Sequence, residues 1–363
     1  MGGLGRLTLA APHRSLAAEE NPAPVPETDD AARIHAQTLT LDTHVDIPWP
    51  DPPDPSGETK RHVDFGKMRR GGLGAVVFIA YVPQGPLTAE GHDAAAARAE
   101  AMLRHIAGTA GGDRAFCADA PALEAAKAEG KLAVLSAVEN GYAMGEDLAR
   151  LADWRRMGAI YVTLTHNGHN LLADSAIPRK DLGDGPERHG GLSALGRAAI
   201  AEMNRVGLLV DVSHASRAAM LQAAEASRTP VVATHACCAA LRPHPRNLDD
   251  AQLDALKAVG GLIQITAVSS FLRAMPGNGA GQAASVADYV DHVDHAVRRI
   301  GIDHVGLSSD FDGGGWLSDW PDAARSRAVT AELHRRGYGA REIGLLWSGN
   351  FRRLMRLAAR QAA

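Results

Sequence analysis

Several short apolar runs each finish on a side chain that can bind a cation or move a proton. The residues in question are His44 and Asp46, then Glu139, His166, His214, His235 and Asp310. Imidazole nitrogens and carboxylate oxygens form a mixed donor set that suits Zn²⁺, with Fe²⁺, Mn²⁺ or Co²⁺ as other divalent choices. His44 and Asp46 are two apart, so on an extended chain they face the same side and can share one ion. His214 and His235 end neighbouring runs, which suits a second ion. Glu139 carries two oxygens and stands between these groups in strand order, so it is expected to bridge the pair. The cofactor expectation is therefore two Zn²⁺ per chain.

Each residue alone has a plainer explanation. A His-X-Asp pair occurs without a metal, and Glu139 before Asn140-Gly141 could open a turn. Shared placement is what argues for a site. Ionisable groups gathered at one end of a packed fold need compensation, and a divalent pair supplies it; salt bridges to arginine are the competing explanation. None of the six lysines (Lys60, Lys67, Lys127, Lys131, Lys180 and Lys257) lies at the C-terminal end of a run, and Lys131 opens one, at the wrong end. A carboxylated lysine bridge is thus not expected.

The runs that carry these residues span 40–48, 73–82, 131–141, 159–168, 206–216, 229–236, 260–269 and 303–313, each of strand length. Segments of helical composition or spacing separate nearly all of them: 88–108, 119–129, 145–157, 191–205, 216–227, 248–258 and 284–300. A final helical region covers 322–361, and its part from 338 is amphipathic enough to close a barrel base or meet a partner. Eight strands alternating with helices predict a (β/α)₈ TIM-like barrel whose C-terminal mouth holds the binuclear metal site. An open doubly wound sheet is the rival, but no GxGxxG or GxxxxGK[ST] motif supports a nucleotide-binding version. Long loops at 49–60, 174–190 and 312–321 fall between elements, and GNGAG at 277–281 reads as a flexible approach to a helix. Residues 1–29 read as a flexible arm, and 30–361 as a single metallohydrolase domain.

The 363 residues carry a formal charge of −4, which speaks against a nucleic-acid partner. Three cysteines provide neither a disulfide framework nor a paired-cysteine zinc site, whereas sixteen histidines provide ample ligands. No run approaches the roughly 18 apolar residues of a membrane helix. A soluble protein without a membrane partner, cytoplasmic by default, is the expectation; a leader removed from the start is the alternative.

The motifs around these residues carry a resemblance. LDTHVDIPW at 41–49, AVENG at 137–141, YVTLTHN at 161–167, VDVSHAS at 210–216, ATHACCAALRPHPRNLDD at 233–250 and VGLSSDFDGG at 305–314 occur in order. Together the chain resembles the membrane (renal) dipeptidase family of the amidohydrolase superfamily. That resemblance implies zinc-dependent hydrolysis of small dipeptides, including those with a C-terminal D-residue, by a hydroxide bridging the metals. It implies that His166 approaches the substrate carbonyl, that Arg246 holds the terminal carboxylate, and that Asp310 exchanges protons with nucleophile and leaving group. A homodimer is also implied. The chain departs from the mammalian pattern at Asn140-Gly141-Tyr142, where Gly-Gly-His is usual, and at Val45, where Asn is common. No apolar C-terminal tail precedes a lipid anchor, so an anchored form is not expected. The competing functions are the same fold and metals acting on another amide or ester, such as a β-lactam, and a non-catalytic metal-binding barrel.

Overall fold

The computed structural model describes residues 27–275 and 283–362. Most of the expected arm, and the GNGAG segment, lie outside these residues. The first described helix is Asp29–Gln37, whose N-terminus the Thr28 side chain caps.

The described residues form the strands β1 (Leu41–Asp46), β2 (Ala75–Tyr81), β3 (Arg114–Phe116), β4 (Leu132–Glu139), β5 (Ala159–Thr163), β6 (Leu209–Asp211), β7 (Val232–Ala236), β8 (Leu262–Ile265) and β9 (Val305–Leu307). Every ladder is parallel. The order is β1-β2-β4-β5-β6-β7-β8-β9, with β3 attached to β4. The ring closes where β1 meets the chain just beyond β9. There Asp46 N–H donates to the Phe311 carbonyl at 2.9 Å, and Asp310 N–H donates to that of His44 at 3.1 Å. The result is a (β/α)₈-like parallel barrel.

β3 was not anticipated. It pairs with Leu132–Val134, the part of β4 below the reach of β5, which joins only from Ser136 onward. A three-residue strand is too short to show a two-residue period. The region 322–361 is also not one helix. It divides into helices Arg327–Arg335, Ala340–Gly344 and Asn350–Gln361, with a π turn at Leu345–Gly349. Gly337, at φ 93°, marks the first break.

Parallel strands need crossover helices, and polar side chains start them. Thr88, Asp119, Ser193 and Ser216 each accept a backbone N–H of the first turn of the helix they precede. Asp249 with Gln252, and Ser285 with Asp288, form capping boxes. The helices cover the outward positions of the strands, such as Val76, Phe78, Val134 and Val138. Inward positions, including Leu41, Val77, Ile79, Leu135, Tyr161 and Leu209, fill the barrel. Burial of each such large apolar side chain contributes about 1.5–3 kcal/mol. Helix Asn350–Gln361 closes the base, turning Phe351, Leu354, Met355 and Ala358 onto that filling.

Candidate metal centre and its cavity

Three local irregularities decide which side chains enter the barrel. Leu41 faces inward while Val45 packs outward, and the β1 ladder shifts register between Asp42 and Val45. On a regular strand Leu41 and His44 would face opposite sides. The shift lets His44 and Asp46 share the inside with Leu41. β7 does the same between Ala233 and Ala236, which both face outward, and so brings in His235. A shift in the β4–β5 pairing likewise accompanies the inward Tyr161. Bulges of this kind re-aim side chains at barrel rims.

Beyond the strands the backbone turns sharply. The predicted strand ends at His166, His214 and Asp310 each come too late, since the strands stop at Thr163, Asp211 and Leu307. His214 and Asp310 both have φ 63°, which a strand cannot accommodate. Asn140 (φ 84°) and Asp312 (φ 63°) complete the non-glycine positive-φ set among the described residues, and all four lie at this mouth. Each such residue costs on the order of 1–3 kcal/mol, strain that is characteristic of functional sites.

The seven candidates other than Arg246 converge on Glu139 or Asp46. Glu139 Oε1 lies 3.3 Å from His214 Nε2 and 3.4 Å from His235 Nε2, and its Oε2 lies 3.6 Å from His44 Nε2. Ligand atoms fall within 4.8 Å of one another in three sets: His44, Glu139 and His235; Glu139, His166 and His214; His44, Asp46 and Asp310. The rings of His44 and His235 are 3.9 Å apart, and those of His166 and His214 are 4.1 Å apart.

A divalent metal fits these residues. The nitrogen–oxygen separations are long for hydrogen bonds. Two ligands of a tetrahedral ion, with bonds of about 2.0–2.1 Å, sit roughly 3.3 Å apart, which is what Glu139 and its histidines display. Asp46 Oδ1 is buried without a hydrogen-bond partner. Gly313 keeps the neighbouring space clear, because a Cβ there would come within 2.2 Å of Asp46 Oδ2 and 2.4 Å of Asp310 Oδ1. The His/carboxylate cluster thus forms a site for divalent metal.

Electrostatics point the same way. Burial and the nearby Glu139 push the Asp46 carboxyl well above its usual range. Burial raises Asp310 to about 7, against the opposing pull of His44. Glu139 moves the other way: burial would raise it, but the charge of His44 and contacts from His214 and His44 hold it well below. His44 rises to about 9 because Glu139 outweighs burial, while burial holds His214 and His235 well below the usual histidine range. Crowded carboxyls that resist ionising together are what added positive charge relieves.

These groups open onto a cavity of about 330 Å³, which Ile177, Val268 and Phe271 line on its apolar side. His166 faces it, with the Tyr81 ring 4.8 Å away, edge-on. Arg246 also lines it and is only 4% exposed, so a surface salt bridge does not explain this residue. Its Nη2 donates to the His235 carbonyl at 3.3 Å, and its guanidinium lies 5.5 Å from the Phe271 ring centre. Burial lowers its pKa to about 10, with Asp310 and Glu139 opposing the shift.

Other candidates take structural places. His292 accepts the Cys238 N–H at Nδ1 and donates from Nε2 to the Leu272 carbonyl. Cys237 is buried, which pushes its thiol up to about 12 and makes it a poor nucleophile. Asp312 serves the loop: it accepts the His62 N–H at 2.8 Å and pairs with Arg61 at 3.5 Å. The sequence also left Asn167, Tyr161, Thr234 and Asp211 unassigned, although Asn167 Oδ1 lies 3.1 Å from His214 Nδ1. Their signal was position, since each lies within three residues of a candidate ligand or strand end.

A parallel barrel with a mixed His/carboxylate metal cluster at its C-terminal mouth is the class that fold and site define. The family model for membrane dipeptidase, peptidase family M19, matches residues 28–363, and the chain belongs to that family. Dipeptidase verJ of Clonostachys rogersoniana is 32% identical over 345 residues, which cover 90% of this chain and 85% of that protein. Dipeptidase tcpJ of Claviceps purpurea is 36% identical over 228 residues; the match covers 62% of this chain but only 51% of that protein's length. Among solved structures, the probable dipeptidase PvdM from Pseudomonas aeruginosa superposes with a TM-score of 0.84 at 27% identity, covering 92% of this chain and 98% of that one. A metallo peptidase from Rhodobacter sphaeroides, liganded with a phosphinate mimic of the dipeptide L-Ala-D-Ala, gives a TM-score of 0.75 at 26% identity, covering 89% and 100%.

Proposed function

We propose that this protein hydrolyses dipeptides, with His44, Asp46, Glu139, His214 and His235 holding two Zn²⁺ ions and Glu139 between them. The observation that carries the proposal is the two-sided approach of Glu139 to three imidazoles, in a cavity that also contains Asp310 and Arg246. When bound, the cations supply Lewis acidity that lowers the pKa of a water and polarises the scissile carbonyl.

The chain's own groups do the rest. Arg246 offers parallel N–H donors to a terminal carboxylate, which selects a dipeptide over a longer chain. Asp310, poised near neutrality by burial, takes a proton from the attacking water and returns one to the departing amine. His166 lines the cavity and donates a hydrogen bond to the carbonyl oxygen as negative charge grows there. Ile177, Val268 and Phe271 exclude water around the peptide. The ligand of the Rhodobacter sphaeroides relative, an L-Ala-D-Ala mimic, supports acceptance of a D-residue at the C-terminal position.

The test is a dipeptide library varied in side chain and chirality, with metal content measured on the same preparation and a β-lactam as comparison. Cleavage of L-L or L-D dipeptides by protein with close to two ions per chain is expected. Full activity without metal, or no cleavage by the loaded protein across the panel, overturns the proposal. Zinc and a homodimer belong to the same proposal, and elemental analysis and light scattering check them. No described helix is long and apolar enough to cross a membrane.

A further inference from the structure

Behind the metal centre, donor and acceptor counting determines how two of its histidines are protonated. The Thr234 hydroxyl has one proton, and its Oγ1 lies 2.8 Å from Asp211 Oδ2. A carboxylate oxygen can only accept, so the hydroxyl donates to it. The remaining lone pairs of Thr234 Oγ1 face His235 Nδ1 at 2.9 Å, the Ser213 hydroxyl at 3.3 Å and His44 Nδ1 at 3.4 Å. The two ring contacts are hydrogen bonds only if the ring nitrogens carry hydrogen. Tyr161 repeats the pattern on the other side of His44. Its hydroxyl donates to the Thr43 carbonyl at 2.9 Å, which leaves an oxygen lone pair for His44 Nδ1 at 3.0 Å.

Asp211 anchors this arrangement. It is fully buried, and its carboxylate accepts four hydrogen bonds. Backbone N–H groups of Ser213 and Thr234 reach Oδ1, both at 3.0 Å, and the Thr163 hydroxyl joins that of Thr234 at Oδ2, at 2.6 Å. Four donors saturate it, so it has no capacity left for a ligand. It lies level with Glu139 across the sheet, through the pairings Glu139–Thr163 and Thr163–Asp211.

We propose that Asp211 and Thr234, with Tyr161, are positioning residues that hold His44 and His235 with Nδ1 protonated and Nε2 turned toward Glu139. The proposal rests on the metal-ligand roles given above. Fixing the proton at Nδ1 leaves the Nε2 lone pair available, and the carboxylate acting through the hydroxyl makes His235 a stronger donor to a cation.

Thr234→Val keeps the shape and removes the hydroxyl; Thr234→Ser restores it. Zn²⁺ affinity is measured on the full chain by competition with a chromophoric chelator. Thr234→Val is expected to weaken binding by about 10–100-fold, and Thr234→Ser to stay near the unmodified protein. Equal affinity for Thr234→Val and the unmodified protein overturns the proposal, as does a Thr234→Ser variant as weak as Thr234→Val. A second measurement needs no variant. Long-range ¹H–¹⁵N spectra of histidine-labelled protein are expected to show a proton on Nδ1 of both rings, and a bare Nδ1 on either overturns the assignment even if Thr234→Val does not fold. Failure of the unmodified protein to take up Zn²⁺ would instead remove the hydrolase proposal, and the spectrum of His235, which burial keeps neutral, would still decide its tautomer.

Discussion

His35, near the start of β1, and His44, at the mouth, are equally hidden, each 1% exposed, yet their surroundings differ in kind. His35 has a neutral partner at each ring nitrogen: the Thr330 hydroxyl at 2.7 Å and the Gly71 carbonyl at 2.9 Å, with Trp347 edge-on at 6.0 Å. Burial therefore lowers it to about 4, and it stays neutral. His44 turns one nitrogen toward a carboxylate and lies against a second imidazole, and Glu139 lifts it to about 9 despite burial. Depth alone does not separate a structural histidine from a ligand. What separates them is whether neutral partners already satisfy both ring nitrogens or a carboxylate and a second imidazole crowd against the ring.

If that distinction holds, damage at the mouth and damage near His35 should have different consequences. The largest effect is expected from Glu139→Gln, which removes charge from the point where three imidazoles meet. Elemental analysis should find metal lost, and turnover should fall below detection. Asp310→Asn should lower turnover by about 10²–10⁴-fold while leaving metal content intact. Unchanged turnover would take Asp310 out of proton transfer. Arg246→Met should weaken kcat/KM for free dipeptides by about 10–100-fold, the value of a charged hydrogen-bonded contact, and should spare substrates capped at the C-terminus. Equal losses on both would argue that Arg246 only props the wall beside Phe271.

The smallest effect on chemistry is expected at His35. His35→Leu strands the Gly71 carbonyl and leaves the Thr330 hydroxyl only its bond from the Trp347 indole, so chemical denaturation should reveal a loss of about 1–3 kcal/mol with turnover per bound metal unchanged. His35 and Asp310 should also respond to pH in opposite directions. For His35, the unfolded chain gains a proton near pH 6.5, whereas the folded chain resists until about 4. Its contribution, on the order of 3 kcal/mol, is present above pH 6.5 and is lost as pH falls through that window. For Asp310 in metal-free protein, the folded pKa near 7 exceeds the unfolded value of 3.8, so stability falls as pH rises between them. Saturating Zn²⁺ should abolish the second slope and leave the first. A metal-insensitive pair of slopes would erase the contrast between the two regions.

Much was visible before folding was considered. The alternation of Val- and Leu-rich runs with capped helical segments follows from local periodicity, so eight strands and a barrel could be inferred. Side chains such as Glu139 and His235, at the ends of those runs, had to gather at one mouth once the strands were parallel. Local pattern could not reveal β3, which is too short to have a period. It could not reveal where β5, β6 and β9 stop either, because the turns at His214 and Asp310 are imposed by contacts across the mouth.

The linear chain determined the chemistry available: which donors exist, in what order, and near which strand ends. Tertiary structure decided which donors face one another. Strand parity, counted from Leu41, would point His44 away from the barrel interior, and counted from Val232 it would do the same to His235. Register shifts in β1 and β7 reverse that orientation. A bulge is a property of two paired strands and not of either one's sequence, which is why the metal centre took its form only when the sheet closed.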